Sequence, residues 1–176
     1  VSSMLVDDPI VYALYHSSMP FVLVGRHPTL NVSYVDVDNI NGARSATAHL
    51  IGLGRRRIAT ITGPQNMIAG IDRLQGYREA LEAHGLPILP DLIAEGDFSE
   101  QSGFMAMQKL LPAQPDAVFV ASDTMALGAM RALHRAGLRI PQDVAVIGFD
   151  DIPPAARFDP PLTTVRQPIH EMGYQA

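Results

Sequence analysis

Three short apolar runs in this chain are each followed at once by polar or aromatic side chains that could bind a ligand. The pairs of residues are Asp97-Phe98, Ser122-Asp123 and Phe149-Asp150, and one cation, Arg73, stands at the start of a predicted helix. Carboxylates and a guanidinium form hydrogen bonds with vicinal hydroxyl groups, and an aromatic ring covers the apolar face of a sugar. These residue types therefore indicate a binding site for a small polyhydroxylated or otherwise polar ligand.

Some of these residues also have a purely structural interpretation. Asp123 and Asp72 are predicted mainly as N-caps of their helices, because an aspartate accepts a hydrogen bond from a first-turn N–H group. Asp151 is predicted to cap the turn that follows it. Phe98 fits the core as well as a ligand site, since its neighbours do not determine which way its ring points. Asp150 has few structural uses directly after a buried strand, so we predict that it is functional.

The pattern does not favour catalysis or metal binding. Six histidines are scattered without metal-ligand spacing, and neither a GxSxG elbow nor a GxxxxGK phosphate loop occurs. Residues 52–54 begin like a dinucleotide fingerprint, but they end a predicted helix and the third glycine is absent. Asp150-Asp151 resembles the acidic pair of a phospho-acceptor domain, yet Lys109 lies too early to be that domain's lysine. We therefore expect no enzyme activity, no cofactor and no metal.

Composition limits the functional classes further. The 176 residues are 47% hydrophobic, contain no cysteine and carry a formal net charge of -5. The negative charge argues against nucleic-acid binding by this chain, because phosphate contacts need clustered lysine and arginine. The basic cluster at 55–57 is expected to lie at the end of a helix. No apolar run approaches the roughly 20 residues of a membrane span. The N-terminus lacks signal-peptide order and an initiator methionine, so we expect a cut or processed chain.

The order of predicted elements is that of an α/β fold. Strands are predicted at residues 21–25, 34–38, 58–62, 92–94, 117–121 and 144–148, with a last apolar segment at 162–165. Helices between them are predicted to begin at Asn39 or Asn41, at Asp72, at Ser99 or Ser102, and at Asp123. This alternation predicts a parallel sheet, whose strands deliver their carboxyl ends to one edge. Arg73, Phe98 and Asp150 should therefore converge on one pocket.

The count of elements predicts two lobes. Residues 55–163 hold four or five strand–helix units, nearly one doubly wound lobe, whereas residues 1–54 hold too few strands for an independent sheet. We therefore expect 1–54 to be part of an N-terminal lobe, to which residues 164–176 return, and 55–163 to be a C-terminal lobe. The first lobe is then incomplete, and the chain is expected to be truncated at its C-terminus.

Several longer motifs resemble one protein family. They are GARSATAHLIGLGRRRIATITGP, DRLQGYREALEAHGL, EGDFSEQSG, SDTMALGAMRALHRAGLRIPQDVAVIGFDDIP and PPLTTVRQP. In this order they closely resemble the effector-binding core of LacI/GalR-type bacterial transcription repressors, from about Pro20 to the C-terminus. The resemblance implies a fold like a type I periplasmic sugar-binding protein, with two doubly wound parallel-sheet lobes and an effector in the cleft between them. It also implies a helix-turn-helix head ahead of the core, which we expect to be missing from this chain.

The resemblance also implies which residues contact the effector. They are Arg73 of the RLxGY motif, Phe98 of GDF, Ser122 where the family usually has asparagine, Asp150 of FDD, Gln167 of TTVRQ, and Arg26. Arg26 is included because Gly25 stands where many members carry an aspartate. The neighbouring arginine is therefore expected to take over the sugar contacts of the first lobe.

The function that the resemblance implies is a ligand-gated switch. A small effector, expected to be a sugar or a similar polar molecule, would close or twist the lobes and so control DNA binding by the absent head. Relatives dimerise, so we expect a homodimer with Phe158 at its interface, unless that ring covers the core of its own lobe. We expect a cytoplasmic protein without membrane contact. The alternative is a periplasmic sugar-binding protein of a transporter, and an enzyme on the same sheet comes third.

Overall fold

Seven strands, all paired in parallel, form two sheets in the computed structural model, which describes residues 5–17 and 19–176. The smaller sheet consists of β1 (Leu23–Val24) and β2 (Tyr34–Val35). The larger consists of β3 (Ile58–Thr62), β4 (Ile93–Glu95), β5 (Ala117–Val120), β6 (Ala145–Asp150) and β7 (Thr163–Arg166). Its spatial order is β4-β3-β5-β6-β7. The predicted parallel α/β fold is confirmed, although β1 and β2 are shorter than predicted.

The described residues contain six α-helices. They are α1 (Pro9–His16), α2 (Asn39–Gly52), α3 (Ile68–Ala83), α4 (Glu100–Leu110), α5 (Asp123–Arg135) and α6 (Ile169–Gln175). Gly85 and Gly137 follow α3 and α5 with φ of +66° and +74°, the left-handed conformation in which helices commonly end. None of the helices in this part of the chain is both long and apolar enough to span a membrane.

The caps of α2 and α5 differ from those predicted. The side chain of Asp38, not Asn39 or Asn41, accepts the first-turn hydrogen bond of α2, from the Asn41 N–H. Ser99 caps α4, as predicted. Ser122 caps α5, so the prediction that Asp123 is the cap is wrong. In each of these three helices, the capping residue precedes another residue whose type could also have capped the helix.

Asp72 and Asp151 also do not cap the elements predicted for them. The helix predicted to begin at Asp72 begins four residues earlier, at Ile68, so Asp72 lies inside its second turn. The short 3₁₀ turn after β6 has Ile152 at its N-cap position, without a side-chain cap. Asp151 instead accepts a hydrogen bond of 2.5 Å from the Arg166 guanidinium. Asp72 likewise accepts hydrogen bonds from an arginine, Arg26. Both carboxylates thus bind arginines rather than the N–H groups at a helix end.

The larger sheet is covered by helices on both faces. On one face α4 and α5 pack against an apolar cluster that includes Ile61, Val118, Val120 and Met125. On the other face α2 and α3 pack against a second cluster, which includes Ile58, Phe119 and Phe149. Because β5 and β6 are buried on both faces, they are apolar along almost their whole length, whereas the equally buried β3 also contains Thr60 and Thr62.

The packing of α2 bears on where the lobes divide. Ala43, Ala46, Leu50 and Ile51 of this helix belong to the apolar cluster of the larger sheet, not to the smaller one. The packing therefore favours a boundary ahead of residue 39, rather than at the predicted residue 54. The division into two lobes, with residues 164–176 returning to the first, stays a prediction.

We expect two glycine-to-alanine changes in helices to have opposite effects on stability. In α5, a Cβ at Gly128 would collide with the backbone of α4 at Glu100 and Phe104, so Gly128→Ala should lower the free energy of unfolding by about 1–3 kcal/mol. A Cβ at Gly52 in α2 would meet no atom within 4 Å, so Gly52→Ala should raise it by about 0.5–1 kcal/mol. Urea denaturation of both variants measures this. Equal effects would contradict the close contact of α4 with α5.

Candidate functional site

A cavity of about 440 Å³ lies at the carboxyl edge of the larger sheet, a volume within the usual range of ligand pockets. Residues at the ends of β1 and β2 and at the start of α2 form one part of its wall. Residues at the start of α3 and at or after the ends of β4, β5, β6 and β7 form another part, and Leu5 and Met172 also line it. All six residues to which the resemblance assigns effector contacts line it: Arg26, Arg73, Phe98, Ser122, Asp150 and Gln167. The predicted convergence of distant residues on one cavity is therefore present.

Two residues that line the cavity, Arg73 of α3 and Asp150 at the end of β6, form an ion pair. Arg73 Nη1 lies 3.3 Å from Asp150 Oδ1. The same guanidinium donates hydrogen bonds from Nε to Asn39 Oδ1 (2.9 Å) and from Nη1 to the Ala121 carbonyl (2.6 Å). Its carbon lies 3.8 Å from the centroid of the Phe149 ring, a cation–π contact. The arginine is thus held rigidly, with no hydrogen bond from its Nη2 among the described residues.

Burial acts on both partners of this pair in opposite directions. Burial lowers the pKa of Arg73, and the nearby Asp150 opposes that shift. Burial raises the pKa of Asp150, against the effects of the Arg73 charge and of a hydrogen bond from Gln167. Asp150 also has a φ of +119°, a strained backbone conformation of the kind that clusters at functional sites.

Gln167 follows β7 and is held to Asp150 at two points. Its side-chain Nε2 donates to Asp150 Oδ1, and its backbone N–H donates to the Asp150 carbonyl at 3.2 Å. The carboxylate is therefore positioned by an arginine on one side and an amide on the other. A displacement of Asp150 would also displace the residues that follow β7.

Phe98 both lines the cavity and packs against the core. Its ring borders the apolar cluster beneath α4 and α5, and a Cβ at Gly63 would collide with it. Its backbone has a φ of +70°. Hydrogen bonds to the preceding Asp97, from the side chains of Ser99 and Ser102 and from the Ser99 N–H (2.8 Å), lower its pKa to about 2. The two interpretations of Phe98 that the sequence left open are thus both compatible with its position.

Ser122 takes the capping role predicted for Asp123, and Asp123 takes a structural role that the sequence did not indicate. Ser122 lines the cavity, but its Oγ also accepts the capping hydrogen bond of α5. Asp123 is fully buried and accepts hydrogen bonds from the Ile152 N–H (3.0 Å) and the Thr164 hydroxyl (2.6 Å). Burial raises the pKa of Asp123. This carboxylate therefore joins the start of α5 to β7 and to the segment after β6.

A glycine in β6 could have indicated the role of Asp123. A Cβ at Gly148 would collide with Asp123 Oδ1, so the strand needs glycine where the carboxylate enters. Glycine inside a buried strand often marks such a close approach.

Arg26 lies at the cavity, but its charge is already paired. Its Nη2 donates to Asp72 Oδ1 at 2.8 Å, and its Nη1 donates to Asp72 Oδ2. Asp36 lies 3.6 Å away and accepts a hydrogen bond from the Arg26 backbone N–H. Asp36, Asn39 and Asp72 were not among the predicted site residues, because their partners are distant in the sequence.

Phe158 lies away from the cavity. It is partly buried against the apolar cluster beneath α4 and α5, and it borders a hollow with Pro153, Pro154 and Arg157. Its proposed place in a dimer interface stays a prediction.

The described residues contain no cluster of three acidic or histidine side chains that could hold a metal ion.

A parallel sheet covered by helices on both faces, with a cavity at its carboxyl edge, is the arrangement in which α/β proteins bind small molecules. Residues 47–176 match the family model of the periplasmic binding protein-like domain. The chain is 52% identical over 172 residues to the HTH-type transcriptional regulator CelR of Thermobifida fusca, which covers 95% of this chain and 51% of that protein.

Two solved structures are also similar to this chain. A complex of the transcriptional regulator CelR with cellobiose has a TM-score of 0.96 and 49% identity, and the match covers 99% of this chain and 55% of that one. A LacI-family regulatory protein from Chloroflexus aggregans has a TM-score of 0.93 and 42% identity, covering 99% of this chain and 64% of that one. The chain belongs to the periplasmic binding protein-like domain family, and these relatives are LacI-type transcriptional regulators. It spans about half the length of the curated relatives it matches.

The pKa of Asp150 is expected to rise further when its cation is removed. Arg73→Gln deletes the charge that favours the ionised carboxylate, while the burial that disfavours it remains. Titration of carboxyl groups by ¹³C NMR in both proteins measures the difference. Asp97, whose pKa is set by its own loop, serves as the internal control and should stay near 2. An unchanged or lowered pKa of Asp150 would show that the ion pair does not act on it.

Proposed function

We propose that this chain is the effector-binding core of a LacI-type transcriptional regulator, and that its effector is a small saccharide bound in the cavity at the carboxyl edge of the larger sheet. The observation that carries the proposal is the Arg73–Asp150 pair inside that cavity. A guanidinium with a remaining donor beside a carboxylate acceptor suits a pair of neighbouring hydroxyl groups.

Further groups on the cavity wall fit the same ligand. The Phe98 ring offers an apolar surface for the C–H face of a pyranose. Asn39, Ser122 and Gln167 add short polar side chains within the same cavity. Cellobiose is the natural first candidate, because the similar CelR structure is a complex with cellobiose.

The proposed response to the effector is a movement transmitted through β7. Asp150 is bonded to Gln167 directly after that strand, and the buried Asp123 binds Thr164 within it. A ligand that bonds to Asp150 would therefore act on β7 and the residue that follows it, to which Asp150 and Asp123 are both bonded. Coupling of about 1–3 kcal/mol between effector and DNA would be enough for regulation. DNA contact belongs to a part of the protein outside this chain, and a cytoplasmic homodimer with Phe158 at its interface completes the proposal.

The two other functions have less support. A periplasmic sugar-binding protein of a transporter has the same fold, but the similar proteins described above are transcriptional regulators. An enzyme would need a catalytic group in the cavity, and both cavity carboxylates already have partners: Asp150 is held by Arg73 and Gln167, and Asp36 lies beside Arg26. Neither alternative has an observation of its own in its favour.

Asp150→Asn should weaken cellobiose binding by about 10- to 100-fold, the loss expected when hydrogen bonds to a charged group are removed. Isothermal titration calorimetry on the full-length protein gives the affinities. Asp151→Asn is the matched control, because Asp151 is the neighbouring aspartate but binds Arg166 instead of lining the cavity. It should bind cellobiose like the original protein. Equal losses in the two variants would remove Asp150 from the site.

The full-length protein is expected to change its affinity for operator DNA about 5- to 150-fold when the effector is added. Fluorescence anisotropy with labelled operator DNA measures this with and without the saccharide. Thr164→Val, which removes the hydroxyl bonded to Asp123, should reduce that ratio while leaving saccharide affinity within about threefold. A saccharide that binds but leaves DNA affinity unchanged would contradict the regulatory part of the proposal.

A further inference from the structure

The cavity wall contains two cations, Arg26 and Arg73, among the described residues. An arginine without a carboxylate partner in a ligand cavity is a ready site for phosphate or carboxylate groups, because its guanidinium binds both in a two-pronged manner. Which ligands the cavity accepts therefore depends on whether these two charges are already neutralised.

The charge of Arg26 is neutralised by Asp72. The two side chains form a two-pronged pair, with both terminal nitrogens of Arg26 on the two oxygens of Asp72. The hydrogen bond that Arg26 donates to Asp72 raises the pKa of Arg26. Only 3% of the Asp72 side chain is exposed, against 35% for Arg26. The carboxylate therefore cannot turn away to solvent and leave the arginine to a ligand.

A second carboxylate, Asp36, reinforces the neutralisation. Its Oδ2 lies 3.6 Å from Arg26 Nη1, and it lines the cavity itself. Arg73 is neutralised separately by Asp150, with the buried Asp123 nearby. Two guanidinium groups thus face at least three carboxylates, and the walls present no surplus positive charge to a ligand.

We propose that the Arg26–Asp72 pair, assisted by Asp36, determines the charge selectivity of the effector site: it keeps the cavity without an available cation, so that uncharged saccharides bind and phosphorylated or acidic saccharides are rejected. The inference rests on the proposed function, because it names the class of effector for the same cavity. Under this proposal Arg26 is not a direct sugar contact. Its charge is neutralised by Asp72 and is therefore not available to a ligand.

The test compares cellobiose with the same disaccharide phosphorylated on its 6′-hydroxyl, using calorimetry on the full-length protein. The original protein should bind cellobiose at least about tenfold more tightly than the phosphate ester. Asp72→Asn keeps the shape of the side chain but frees the Arg26 charge, so it should reduce that preference by about tenfold or more, equivalent to 1.4 kcal/mol. Adding Arg26→Gln to Asp72→Asn should restore the original preference.

Two controls separate charge selectivity from folding and from general electrostatics. Asp91→Asn removes the same charge from an exposed position outside the cavity and should leave the preference unchanged. Asp36→Asn, which leaves the buried pair intact, should shift it in the same direction as Asp72→Asn but less. An unchanged preference in Asp72→Asn with retained circular dichroism would overturn the inference, as would tight binding of the phosphate ester by the original protein.

Inorganic phosphate tests the inference independently of any sugar. At equal ionic strength with chloride, phosphate should not raise the melting temperature of the original protein but should raise that of Asp72→Asn. If neither disaccharide binds the original protein while phosphate stabilises Asp72→Asn alone, the cellobiose assignment fails and the charge inference stands. If phosphate stabilises both proteins or neither, the charge inference is wrong.

Discussion

Only 6% of the Arg73 side chain meets solvent, and a charge withdrawn from water is costly unless it is paired and hydrogen-bonded. Asn39, the Ala121 carbonyl and Asp150 meet that requirement. They belong to the start of α2, the end of β5 and the end of β6, so one guanidinium joins three elements. Because these elements deliver their ends to the same edge of the sheet, the buried charge and the cavity are consequences of one arrangement.

The same network connects the cavity to the rest of the fold. Asp150 is held in a strained backbone conformation by Arg73 on one side and by Gln167, after β7, on the other. The buried Asp123 fixes β7 a few residues earlier through Thr164. A ligand that bonds to Asp150 therefore acts on a group that already couples β6 to the residue after β7, the last strand of the sheet. This is the physical basis on which we propose that binding at the cavity is converted into movement.

The sequence could predict the sheet and the edge at which the site lies. Runs of β-branched residues and the polar residues that follow them are local features of the sequence. It could not predict the partners of Arg26, because the arginine and Asp72 are 46 residues apart and meet only through the tertiary fold. Ser122 and Asp123 were equally suitable caps by residue type, and only burial against β7 distinguishes them. The packing of α2 on the larger sheet could not be predicted either, because it too depends on tertiary contacts.

The most direct measurement is a crystal structure of the full-length protein with the saccharide that calorimetry identifies. The account predicts that two neighbouring hydroxyl groups lie within hydrogen-bond distance of Arg73 Nη2 and an Asp150 carboxylate oxygen, with a sugar ring against Phe98. The guanidinium of Arg26 should remain on Asp72. A saccharide bound elsewhere, with the Arg73–Asp150 pair untouched, would contradict the central claim that this buried pair forms the effector site.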